Sequence, residues 1–131
     1  MDFELTEEQR MIRDAVRAVA QGEFAPRARD VDEHARFPAE NFVRLAEMGL
    51  MGLPIAERYG GGGGDTVSYA LTVEELAAAC GSTALVYAAH VSLGCSPFAL
   101  FGTEEQKQAY LPRLTSGAMF GAFGLTEPHT G

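Results

Sequence analysis

Cysteine is scarce in this chain: 131 residues hold only Cys80 and Cys95. So sparse a thiol set excludes a disulfide scaffold and is the usage of a reducing, cytoplasmic compartment. Basic residues are also in deficit, ten Lys and Arg against eighteen Asp and Glu, for a formal net charge of −8. That balance argues against nucleic acid or an anionic membrane as main partner, since both reward Lys/Arg surfaces. No run of about 18 apolar residues occurs, which argues against a membrane-spanning helix. The opening Met1-Asp2-Phe3-Glu4-Leu5 lacks the basic stretch of a signal peptide. The three histidines, His34, His90 and His129, are too scattered for a metal site, and no Cys/His spacing suggests one. What remains is ordinary globular material, 47% hydrophobic and 21% charged, of a length that makes one domain with a real core.

Helical signals dominate residues 6–116. Thr6-Glu7-Glu8-Gln9 is a capping box, followed by Ile12, Ala15, Val16, Val19 and Ala20 at helical spacing. Phe24-Ala25-Pro26 ends or restarts that helix, and a polar helix over residues 27–35, with Ala28, Val31 and Ala35 as anchors, belongs on the surface. Pro38 sits at the first turn of a third helix striped by Phe42, Leu45, Ala46 and Met48, and Gly49 is placed as its left-handed end. Leu50-Met51-Gly52-Leu53-Pro54-Ile55 reads as an extended segment tucked into the core. The glycine run at residues 60–64 has neither the Lys-Ser/Thr of a phosphate loop nor a preceding strand, and so reads as a tight connection.

Two Ala-rich helices follow, over residues 66–80 and from Ser82 or Thr83 to Gly94, with Glu74 and Glu75 as an exposed acidic pair. His90, on an apolar helix, reads as a satisfied core or pocket-edge residue, and Cys80 and Cys95 as buried thiols with no base beside them. Ser96-Pro97 opens a short helical turn, and Thr103-Glu104-Glu105-Gln106 is a second capping box. The tail from Met119 to Thr126 alternates large and small residues and reads as a β-strand without a partner. The expected fold is all-α: a bundle of about five to six helices over residues 1–117, then residues 118–131 as the first strand and loop of a β domain cut short.

Phe123-Gly124-Leu125-Thr126-Glu127-Pro128-His129-Thr130-Gly131 resembles the flavin-binding signature of acyl-CoA dehydrogenases: aromatic, any, aliphatic, Thr/Ser-Glu-Pro, two variable positions, then Gly-Ser-Asp. The chain stops just before the Ser-Asp. Other blocks resemble the family in order: Leu5-Thr6-Glu7-Glu8-Gln9; Leu53-Pro54-Ile55 with Tyr59-Gly60-Gly61 and Gly64-Asp65; and a third of several parts. Its parts are Tyr69-Ala70 with Glu74-Glu75-Leu76-Ala77, Ser92-Leu93-Gly94, Gly102-Thr103-Glu104-Glu105-Gln106-Lys107 and Tyr110-Leu111-Pro112. In that family a helical N-terminal domain precedes a β-rich middle domain and a helical C-terminal one.

The resemblance implies a parent enzyme that uses FAD to desaturate a CoA thioester, with hydride passing to flavin N5 and electrons to an electron-transferring flavoprotein. It places Phe123, Gly124, Leu125, Thr126 and Gly131 at the cofactor. Fixed donors near the flavin's polar edge stabilise the charge gained on reduction. It places Val86, Ala89 and Leu93 along the acyl pocket, although one face of a plain core helix explains them equally well. The catalytic carboxylate is expected in the C-terminal domain, so no catalytic residue and no metal ligand is assigned here, and this segment alone is expected to be inactive. The parent is expected to be a cytoplasmic homotetramer. An acyl-CoA oxidase, flavin monooxygenase or nitroalkane oxidase of the same fold stays open, as does a non-catalytic helical interaction module.

Overall fold

The computed structural model describes residues 4–130. Among them are seven α-helices: α1 (Glu7–Val19), α2 (Ala25–Glu33), α3 (Ala39–Glu47), α4 (Thr66–Ala79), α5 (Gly81–Ala89), α6 (Ser96–Phe101) and α7 (Glu104–Thr115). They make five continuous rods, because α1 runs into α2 through a π turn at Ala20–Phe24 and α5 into α6 through another at His90–Cys95. Both π turns end two residues before a proline, Pro26 and Pro97. Proline has no N–H to donate and its ring crowds the carbonyl four residues back. A widened turn lets the helix pass through that defect instead of ending there. At the second turn the Ser96 N–H and hydroxyl both reach the Val91 carbonyl, the hydroxyl at 3.0 Å.

Both capping boxes form: Thr6 and Gln9 exchange backbone-to-side-chain bonds at 3.0 and 3.2 Å, and Thr103 and Gln106 at 2.8 and 3.2 Å. Gly49 ends the third helix in the left-handed region (φ 72°), as its position predicts. Several local expectations need correction. Pro38 is the N-cap of α3 and not its first helical residue. Leu50–Gly52 is a tight 3-10 turn, buried as expected but not extended. The second central helix starts at Gly81 itself, with Cys80 extended before it.

Glu75 is not on the solvent face. It is 6% exposed and accepts two hydrogen bonds from Arg17 of α1, at 2.6 and 2.9 Å. That guanidinium holds its carboxyl below the usual carboxylate range and ties α4 to α1. The glycine run is a connection closed on itself: the N–H groups of Gly62, Gly63 and Gly64 donate to the carbonyls of Gly52, Ile55 and Leu53. A Cβ on Gly61 would run into the Ile55 carbonyl, so only glycine passes there. The loop's donors are spent inside the fold, which leaves none of these three for a phosphate.

Gly81–Phe101 is 21 residues long with a mean hydropathy of 1.5 over an 18-residue window. By length and composition it is long and apolar enough to cross a membrane, which corrects the reading taken from apolar runs. Here it is a core helix: Thr83, Tyr87, His90, Val91 and Cys95 are all buried against the other helices. Its π turn joins the two parts of the core. Val91 packs with Val16, Phe24, Leu45, Met51, Leu76 and Tyr87, while Cys95 packs with Ile55, Tyr59, Leu111 and Leu114.

The expected strand is absent. Residues 120–126 have no regular secondary structure, and an isolated bridge between Glu127 and Thr130 closes a tight turn. A strand exists through its ladder, and among the described residues none is present to pair with it.

Candidate functional site

The tail is docked at its beginning and open at its end. After α7, Met119 donates its N–H to the Arg113 carbonyl, and the chain then crosses the π turn of the long helix. There the Gly121 N–H donates to His90 Nδ1 at 3.0 Å. A nitrogen that accepts carries no proton, so the ring proton is on Nε2, which donates to the carbonyls of Met51 (3.1 Å) and Leu114 (3.2 Å). His90 is fully buried, and desolvation pushes its pKa below the ordinary value, in keeping with a neutral ring. It therefore joins the long helix to three segments: the turn at Leu50–Gly52, the end of α7 and the tail that follows it.

Cys95 Sγ lies 3.6 Å from His90 Nε2, a spacing seen in thiol–imidazole chemistry. Burial pushes this thiol up to about 12, however, and the Nε2 proton is already directed at two carbonyls. The fold thus sets an imidazole beside Cys95, which corrects the expectation of no neighbouring base, but the pair is inert packing because the ring offers the thiol no free acceptor.

Two further contacts hold the same point. Gly94 and Gly121 meet backbone to backbone, so that a Cβ on Gly94 would sit 2.6 Å from the Gly121 Cα. Phe120 packs edge-on against His90 (ring centroids 5.5 Å apart) and Phe42 (5.2 Å), with Phe37 stacked on Phe42 at 5.1 Å. Beside this aromatic cluster is a cleft of about 460 Å³ between α3, the end of α7 and Phe120, with Phe37, Val43 and Ala46 among its walls.

The residues expected at a cofactor follow directly. Phe123 is 53% and Leu125 68% exposed, and Gly124 has open space on its side-chain side. Among the described residues the backbone of residues 122–126 makes no hydrogen bond, and neither does the Thr126 hydroxyl. Gly131 lies outside the described residues. Val86 and Ala89 are half-buried along α5, and Leu93, in the π turn, is 44% exposed. None of the seven that are described lines the cleft.

His90, Gly94, Phe120 and Gly121 were not singled out as tail anchors by the sequence. Two signals were available: a polar ring in a 21-residue stretch without a formal charge, and a glycine inside the large/small alternation of the tail.

The molecule is thus a helical domain with an anchored tail whose residues 122–126 are exposed and, among the described residues, make no backbone hydrogen bond. A family model for the acyl-CoA dehydrogenase N-terminal domain matches residues 6–118. The chain belongs to the acyl-CoA dehydrogenase family. It is 58% identical over its whole length to the probable acyl-CoA dehydrogenase YngJ of Bacillus subtilis, of which it covers 34%. It superposes with a TM-score of 0.93 and 43% identity on a chain from the structure of the electron transferring flavoprotein of Acidaminococcus fermentans, covering all of this chain and 34% of that one. With the Bacillus anthracis acyl-CoA dehydrogenase complexed with FAD the TM-score is 0.85 at 37% identity, over 98% of this chain and 22% of that one. The chain spans about a third of the length of the first curated relatives it matches.

Proposed function

We propose that this chain is the N-terminal part of an FAD-dependent acyl-CoA dehydrogenase that desaturates a CoA thioester and passes the electrons to an electron-transferring flavoprotein. The observation that carries this reading is the tail itself: Gly121 is tied to the helical body through His90, and Phe123, Leu125 and Thr126, the residues that carry the family's flavin signature, stand exposed beyond it. Such a segment has backbone donors and acceptors and the Thr126 hydroxyl to offer a flavin's polar ring edge. Bound FAD supplies the hydride acceptor; the protein's part is to bind, orient and exclude water.

Within this chain the N–H groups of Leu125 and Thr126 and the Thr126 hydroxyl serve as donors to the ring edge. Phe123 offers a flat apolar contact, and Gly124 keeps the backbone approachable. Gly131 extends the same loop. Val86, Ala89 and Leu93 form one wall of the acyl pocket, Leu93 lending the most uncovered apolar surface of the three. No residue of this chain is proposed as the base. The long apolar helix Gly81–Phe101 acts as a core element and not as a membrane span, and the buried free thiols Cys80 and Cys95 suit a cytoplasmic protein. The exposed Leu85, Leu100 and Phe101 supply apolar surface for assembly into a homotetramer.

The test uses the whole protein that carries this chain, purified with FAD and compared with its Thr126→Val variant. The expected result is a flavin spectrum bleached by acyl-CoA without oxygen. The variant should fold with stability within about 0.5 kcal/mol of the wild type. Its flavin should bind roughly threefold to tenfold more weakly, the worth of one net hydrogen bond. Peroxide formed in step with turnover in air would replace the dehydrogenase reading by an oxidase. Wild-type protein that retains no flavin would overturn both.

A further inference from the structure

We propose that His90 is the positioning residue of the flavin-facing tail, its imidazole setting where residues 122–126 leave the helical body. The proposal rests on the reading of that tail as flavin-binding. The geometry is specific. Gly121 is the last described tail residue whose backbone bonds to the body, since Glu127 and Thr130 bond only to each other, and its partner is His90 Nδ1 at 3.0 Å. The ring itself has no freedom, because Nε2 donates to two carbonyls on separate segments, Met51 and Leu114, and the side chain is fully buried. Only the tautomer with the proton on Nε2 satisfies all three partners at once. Gly94, four residues along the same π turn, removes the side chain that would push Gly121 off this acceptor, and Phe120 packs on the ring.

The consequence is a fixed point of departure. Among the described residues the Gly121–His90 bond is the last that ties the tail's backbone to the body, so it sets where residues 122–126 begin. Donors that must meet a rigid ring depend on that starting point, since a misplacement of about 1 Å is enough to spoil them.

Two amide variants separate the anchor from the support it stands on. An Asn carboxamide oxygen falls near the Nδ1 position, and a Gln carboxamide nitrogen near the Nε2 position. In the whole protein, His90→Asn keeps an acceptor for Gly121 and loses the donor to Met51 and Leu114. His90→Gln keeps that donor and leaves the Gly121 N–H without an acceptor. The readouts are amide hydrogen exchange over residues 119–126 without flavin, the flavin dissociation constant, and the thermal midpoint.

His90→Gln should speed exchange at Gly121 and weaken flavin binding, each roughly threefold to tenfold, and lower the midpoint only by the worth of that one bond, about 2–6 °C. His90→Asn should lower the midpoint while leaving exchange at Gly121 and flavin affinity close to wild type. Parallel loss of stability and flavin affinity in both variants, or no change of exchange in His90→Gln, overturns the proposal. Should His90→Gln not fold, nitrogen NMR of the wild-type ring decides: a proton on Nδ1 is incompatible with the anchor. A wild-type protein without flavin affinity would overturn the flavin reading and leave the exchange contrast intact. A wild type that binds flavin as tightly as His90→Gln would overturn the anchor alone.

Discussion

Gly94→Ala should destabilise the chain, against the ordinary effect of that substitution in a helix. Replacing a helical glycine with alanine normally stabilises by about 0.5–1 kcal/mol, because the unfolded chain loses more freedom with glycine. At Gly94 the new Cβ would lie 2.6 Å from the Gly121 Cα and 3.1 Å from its carbonyl carbon, and backbone cannot step aside as a flexible side chain can. If the tail stays docked, the misfit is an overpacked core contact of about 1–3 kcal/mol. If it lets go, the loss is the Gly121–His90 bond, about 0.5–1.5 kcal/mol net, and the contacts of Phe120 with the rings of His90 and Phe42, of similar size. Either route outweighs the propensity gain and leaves a net loss of about 1–2 kcal/mol.

The internal control is Gly22→Ala, in the other π turn, where a Cβ meets nothing within 4 Å. There the propensity gain should appear undiminished. At about 4 °C per kcal/mol for a domain of this size, Gly94→Ala should melt about 4–8 °C lower than wild type and Gly22→Ala about 2–4 °C higher. Far-UV circular dichroism melts measure both, and limited proteolysis of residues 119–126 reports whether the tail has come loose. Equal stabilisation by the two substitutions would refute the close contact between the π turn and the tail.

Tyr87→Phe removes a buried bond from the phenol to the Leu50 carbonyl at 2.9 Å. That carbonyl also accepts the Leu53 N–H at 3.1 Å, so the cost in urea unfolding should stay near 1 kcal/mol, and a loss of 3 kcal/mol would contradict it. Mild acid should weaken the fold. His90 has a folded pKa below its ordinary 6.5, so the unfolded chain takes up the proton first. Stability is then full above about pH 6.5 and falls below it by at most about 1.4 kcal/mol per pH unit until the folded pKa is reached. A flat urea midpoint from about pH 7 to about pH 5 would exclude this. Residues 1–131 expressed alone should be colourless. The exposed tail offers a few bonds of about 0.5–1.5 kcal/mol each against about 1–2 kcal/mol per residue to order it. Yellow protein surviving gel filtration would show that the site is more complete than the tail.

What the sequence determined by itself is what depends on neighbours along the chain. Both capping boxes, the left-handed Gly49 and the main helical stripes follow from spacings of three and four residues and are found where they are written, except that α2 ends at Glu33 and Ala35, expected as an anchor, is exposed in a turn with φ 47°. The glycine run could be assigned to a connection for the same reason, since what a phosphate loop requires is local and is missing. Family membership was legible too, because the blocks that carry it are short and ordered. Where distant segments had to meet, the sequence was mute or misleading. Glu75 looks like half of an exposed pair until Arg17, 58 residues earlier, covers it. Met119 to Thr126 has the alternation of a strand, but a strand needs a partner's hydrogen bonds, and none is within the described residues. Pro26 reads as an end or restart of a helix and Ser96-Pro97 as the opening of a separate turn, whereas in the fold each helix continues to its proline through a π turn. His90 is the clearest case. Its burial could be anticipated from its apolar helix, but its three partners come from residues 51, 114 and 121, and only the tertiary structure could bring them to one ring.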